Sequence, residues 1–171
     1  VALDYLQFPA QTLGYKAGDC DDLSILYCSL LESLAVETAF ITTPGHIFAA
    51  FSLGATPEEA KALFLNPGDL IYVGNQSWVP VEITMIGRGS FADAWRTAVE
   101  EWAAWDKEPK KRALYLVREA QEVYRSVALK EGKATFGYGD QKQVATSFRE
   151  SLTKLTDVLL GPYLAKVKES G

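Results

Sequence analysis

The segment from Asp19 to Phe51 constrains this chain more than any other, because its hydrophobic period switches from helix to strand within one short stretch. Leu23, Leu26, Tyr27, Leu30, Leu31 and Leu34 recur at i, i+3, i+4, i+7, i+8 and i+11. That spacing lines one face of a buried helix, predicted to run to about Ala35. Asp19 is its natural N-cap, and Asp21 and Asp22 occupy the first turn, where the helix end favours negative charge. Glu37 to Ile41 then suits a strand, TTPG makes a turn, and HIFAAF from His46 to Phe51 reads as a second strand. A helix followed by an antiparallel hairpin points to an α+β fold.

The flanking sequence extends this pattern. Residues 1–18 carry Pro9, Gly14 and Gly18 as breakers and read as irregular. ATPEEAKALFL predicts a short helix capped by Thr56 with Pro57 at its first position. Leu70–Val73 and Trp78–Thr84 flank a GNQS loop as a second antiparallel pair, and Pro80 assigns its strand to an edge or a bulge. Beyond Gly89 the periodicity is helical throughout. Phe91, Ala94, Trp95, Ala98, Trp102 and Trp105 share one stripe, Leu116, Val117, Ala120, Val123, Tyr124 and Val127 a second, and Val144, Phe148, Leu152, Leu155 and Leu159 a third. The chain is therefore expected to divide into a core over 1–90 and a helical extension over 91–171, packed on that core or leading to a helical-repeat region. With 48% hydrophobic residues a core can form without staples.

Charge and composition exclude several function classes. A net charge of -5 and the lack of any Lys/Arg block give no attraction to nucleic acid or anionic membrane. No apolar run approaches the roughly 20 residues that span a bilayer, and VALDYLQFPAQTL lacks the regions of a signal peptide. A soluble segment of a larger protein is expected, in a periplasmic, extracytoplasmic or cytoplasmic setting. Cys20 and Cys28 on one helix stand about 12 Å apart, beyond disulfide reach, so both are expected to be free. One histidine and two cysteines on a single helix do not assemble a zinc site, and no cofactor is expected.

The chemistry gathers around Cys20. A helix N-terminus offers partial positive charge and free N–H donors, which favour a thiolate and an oxyanion. Asp19, Asp21 and Asp22 oppose that effect, so a basic partner is required. His46 is the one histidine of the chain and opens the strand HIFAAF at the rim of the expected sheet. Alternation places His46, Phe48 and Ala50 on one face, and a helix packed on that face is expected to bring Cys20 against the imidazole. The third member is an acceptor that orients the ring, for which WVPVEIT offers Glu82. Cys28, amid leucines, reads as a buried small hydrophobe.

GDCDDLSILYCSLLESLAVETAFITTPGHIFAAF followed by WVPVEIT resembles the core of the transglutaminase-like superfamily, in its bacterial form, over residues 11–90 or so. The resemblance implies a papain-like core with Cys20 as nucleophile, His46 as base and Glu82 as orienting acid. The implied reaction is acyl transfer at an amide bond through a thioester, of the protease, amidase or transglutaminase type. A peptide, protein or peptidoglycan-like substrate follows from that chemistry. Two features depart from the family pattern: Glu82 replaces the usual Asp, and residues 54–77 form an insertion. Gln11 and Tyr15 precede the nucleophile and are candidate oxyanion donors. The alternative is an inactive domain of the same fold that binds a peptide, glycan or protein. The stripe of Trp95, Trp102 and Trp105 reads first as helix packing, and the C-terminal helices are a candidate partner surface where such a stripe is exposed.

Overall fold

The computed structural model describes residues 5–127 and 139–169. It is an α+β structure built on one five-stranded antiparallel sheet. In chain order the elements are α1 (Pro9–Tyr15), α2 (Cys20–Glu32), β1 (Thr38–Thr43), β2 (His46–Ser52), α3 (Pro57–Leu63), β3 (Ile71–Val73), β4 (Gln76–Val81), α4 (Phe91–Ala104), β5 (Ala113–Leu116), α5 (Val117–Val123) and α6 (Gln141–Glu169). The strands lie in the order β3-β4-β2-β1-β5. Among the described residues no helix is long and apolar enough to cross a membrane.

Local sequence sets most boundaries. Asp19 caps α2 through a reciprocal box with Asp22, and Thr56 caps α3 in the same way with Glu59. The β1–β2 hairpin turns through Pro44 and Gly45, whose φ of 77° is a conformation that glycine adopts without penalty. β1 and β2 pair from Thr43↔His46 to Thr38↔Phe51, so alternate residues of both strands face the same way.

Different helices cover the two faces of the β1–β2 hairpin, while Ala94 and Trp95 of α4 also pack with Val79 and Val81 of β4. Ala39, Ile41, Phe48, Ala50 and Trp78 form a cluster with Ala98 of α4, and Trp102 packs against it. Ala49 and Phe40, of opposite parity, pack instead with Cys28 and Tyr27 of α2 and with Val117. This corrects the expectation that α2 covers the face of His46, Phe48 and Ala50. The stripe of α4, through Ala98 and Trp102, takes that face, and α2 takes the reverse one.

Three further expectations change. Within residues 1–18, read as irregular, Pro9–Tyr15 forms the short helix α1, with Pro9 in its first turn where no N–H partner is needed. The stretch after residue 90 is not wholly helical, because Ala113–Leu116 forms β5 and pairs with β1 from Ala39↔Leu116 to Thr42↔Ala113. Ala39 and Ile41 are fully buried, and their strand needs hydrogen-bond partners on its outer side. ALYL supplies them, and its helical stripe begins only at Val117. The sheet therefore draws on both sides of residue 90. Pro80 lies on a strand flanked by two others, not at the sheet's margin. Its missing donor is tolerated because β3 pairs with β4 only as far as Trp78, while Ser77 directs its own backbone groups towards Ala55 and Leu53. By alternation Pro80 faces the side where β3 has ended.

Candidate active site

Cys20 is the first residue of α2 and is half-buried. Its backbone N–H, like that of any first-turn residue, has no intrahelical acceptor. The preceding chain is fixed by Asp22, which is 2% exposed and accepts from the Gln7 backbone N–H at 2.7 Å and from Gln7 Nε2 at 2.6 Å. Gly18 completes this close approach, since a Cβ there would stand 2.8 Å from the Asp22 Cβ. The GDCDD run thus holds its shape through a buried carboxylate two residues beyond the cysteine.

The β1–β2 turn brings His46 to the same place from the other face. Asp19, Cys20, Asp21, Gly45, His46 and Ile47 line a cleft of about 270 Å³ at the sheet rim. Cys20 and His46 therefore both line the cleft at the end of the hairpin. The carboxyl of Asp19 is held above its ordinary range, chiefly by its hydrogen bond with Asp21 and then by partial desolvation. The cleft is crowded with acidic groups on the α2 side.

His46 stacks on Phe48, with ring centroids 5.8 Å apart. Its Nε2 lies 2.7 Å from Oε2 of Glu82, which follows β4 and is 4% exposed. Glu82 is itself fixed: Oε1 accepts from the Thr84 backbone N–H at 3.0 Å and from the Thr84 hydroxyl, while the Glu82 backbone N–H donates to the Ala94 carbonyl of α4 at 3.0 Å. A buried carboxylate with these donors orients the imidazole and fixes which nitrogen it engages.

Glu101 of α4 was not singled out in the sequence. Its Oε2 lies 3.8 Å from His46 Nε2, and its Oε1 accepts from the Thr43 hydroxyl at 2.8 Å. His46, Glu82 and Glu101 offer one nitrogen and two oxygens that all lie within 4.8 Å of one another, a donor set able to hold a metal ion. Asp19, Asp21 and Asp22 form a second, purely acidic group. The available signal for Glu101 was positional: it lies between Ala98 and Trp102, three residues after the former, on the apolar stripe of its helix.

The oxyanion candidates are placed elsewhere. The Gln11 amide is engaged within its own segment, with Oε1 accepting from the Phe8 backbone N–H at 2.9 Å and Nε2 donating to the Tyr5 hydroxyl at 2.9 Å. Tyr15 is exposed at the end of α1, and neither residue lines the cleft. Cys28 is buried, and burial pushes its thiol up to about 12. Trp95 donates from Nε1 to the Asp69 carbonyl at 2.6 Å, Trp102 lies under the Arg112 guanidinium and Trp105 under the Lys111 amine, so all three have intramolecular partners. No protein family, curated protein or solved structure matches this chain.

Proposed function

We propose that the chain carries a cysteine-dependent acyl-transfer site of the transglutaminase-like, papain-like kind, with Cys20 as nucleophile, His46 as base and Glu82 as the residue that orients the base. The observation that carries this reading is the 2.7 Å contact between His46 Nε2 and the buried Glu82 carboxylate, in a ring that shares a cleft with Cys20. With Nε2 committed to Glu82, Nδ1 is the nitrogen left to accept the thiol proton.

The steps follow from those positions. The Cys20 sulfur attacks an amide carbonyl as its proton passes to His46, and the oxyanion is met by the free N–H groups at the start of α2. His46 then returns the proton to the departing amine, leaving a thioester on Cys20. Water or a second amine, deprotonated by the same imidazole, attacks the thioester and restores the thiol. A peptide, protein or peptidoglycan-like amide suits this chemistry, and the cleft's acidic α2 side favours amide substrates with a positive charge near the scissile bond.

The test is the rate of Cys20 alkylation by iodoacetamide in the native chain, followed by peptide mass spectrometry. Replacing His46 with Ala is expected to slow it by about tenfold or more, because the base that favours the thiolate is gone. A Cys20 that reacts no faster than a free thiol, and is indifferent to His46, would overturn the enzyme reading in favour of an inactive binding domain.

A further inference from the structure

The two carboxylates that face His46 are mounted in the same way. Oε1 of Glu82 accepts from Thr84, Oε1 of Glu101 accepts from Thr43, and both direct Oε2 at His46 Nε2, at 2.7 Å and 3.8 Å. Among the described residues the ion pairs of both glutamates run to His46 alone. When the imidazole is neutral, two negative charges therefore converge on one nitrogen in a half-buried setting without a compensating cation. A divalent ion supplies that compensation.

The distances suit one. A tetrahedral ion with ligands at about 2.0–2.1 Å holds its donor atoms roughly 3.3 Å apart, and the two observed separations bracket that value. Closing one and opening the other by about half an ångström brings both to that value, and the donor atoms of the three residues already lie within 4.8 Å of one another. The threonine hydroxyls remain as the outer hydrogen bonds that orient ligating carboxylates. Imidazole nitrogen with carboxylate oxygen is a donor set suited to zinc rather than to calcium or magnesium, which take oxygen alone.

We propose that His46, Glu82 and Glu101 form a binding site for one Zn²⁺-like cation, and that filling it silences Cys20. The second half rests on the enzyme reading above. A cation on Nε2 uses that nitrogen's lone pair, so the proton of the neutral ring resides on Nδ1. The imidazole then has no lone pair with which to take the Cys20 proton. Coordination and general-base function are mutually exclusive states of one ring.

The experiment uses the full chain and zinc sulfate alone. In Cys20→Ser, titration calorimetry is expected to give a saturable one-to-one isotherm, accompanied by a shift in the ring resonances of the chain's one histidine. Glu101→Gln is expected to weaken binding by about tenfold or more, and Thr43→Val, which releases Glu101, to weaken it less. In the chain with Cys20 intact, zinc is expected to slow alkylation and a chelator to restore it, with the ratio of the two rates falling towards one in Glu101→Gln. Binding lost in Cys20→Ser would place the ion on the thiolate and overturn the site. Binding unchanged in Glu101→Gln would place it on the Asp19, Asp21 and Asp22 group and overturn it equally. If zinc binds as expected but Cys20 alkylation never depended on His46, the cation site stands and its control of a cysteine enzyme falls.

Discussion

The two cysteines of α2 share a helix and little else. Cys28 is 2% exposed, its sulfur 3.9 Å from the Ala39 carbonyl, among Ala49, Val117, Tyr27 and Phe40. Burial pushes its thiol up to about 12. Cys20 begins the same helix at the rim, half-buried in a cleft with an imidazole. Reactivity thus follows from where along the helix a thiol falls: two turns towards the sheet convert a candidate nucleophile into a packing residue. The acidic first turn sharpens the contrast, since Asp19, Asp21 and Asp22 stabilise the helix end while disfavouring a second negative charge there.

The contrast can be broken most directly by labelling. Iodoacetamide on the native chain is expected to modify Cys20 about a thousandfold faster than Cys28, and denaturant to bring the two rates together; comparable native rates, read by peptide mass spectrometry, would remove the distinction. Alkaline stability comes next. The Cys28 thiol is raised from 9.0 to about 12 and the Tyr27 hydroxyl from 10.0 to about 12, both chiefly by burial. Between those limits the unfolded chain has released protons that the native chain keeps, so the contribution of each group is complete below its unfolded value and declines as pH rises. The unfolding free energy, read from denaturant titrations, should fall from pH 9 upwards by about 1.4 kcal/mol per pH unit per group. Cys28→Ala should delay that decline to the range above pH 10 that belongs to Tyr27.

Substituting Glu82 probes the other end of the helix. Glu82→Gln keeps an acceptor but removes its charge, and is expected to slow Cys20 alkylation about tenfold, the difference between a charged and a neutral hydrogen bond, with Cys28 unaffected. A rate within twofold of the parent chain would show that Glu82 does not govern the cysteine. The smallest effect belongs to Asp21, which lines the cleft beside Cys20. Asp21→Asn should accelerate alkylation about threefold at low salt and less at high salt, as expected for a partly screened charge.

Much of this arrangement was legible in the sequence for local reasons. The extent of α2, the hairpin through Pro44 and Gly45 and the capping of α3 all follow from caps, turn residues and periodicity within a few positions. What was not legible depends on distant partners. ALYL looks like the start of a helix until the open edge of β1 is present to claim it. The choice of face for α2 was lost because His46 and Ile47 point opposite ways from adjacent positions, and only the competing stripe of α4 decides which face remains. In α6, Leu155 and Leu159 pack against the core, while Val144, Phe148 and Leu152 from the same stripe stay exposed. Periodicity specifies a helix, but a facing surface decides what it buries. Glu101 was hidden in the same way, because a helix read for its tryptophans and alanines conceals an acid set among them.

The union of Gln7 with Asp22 makes the helix end that carries Cys20 depend on residues well ahead of it in the chain. Asp22 is sealed from solvent, and both donors from Gln7 reach it from a part of the chain that precedes α1. A proteolytic cut between Gln7 and Gly18 makes those donors dissociable, and their departure leaves the buried carboxylate with the Asp19 backbone N–H at 3.4 Å in place of three donors, at a cost of about 1–3 kcal/mol. Clipping in front of Cys20 is thereby coupled to the loosening of the helix end that carries it.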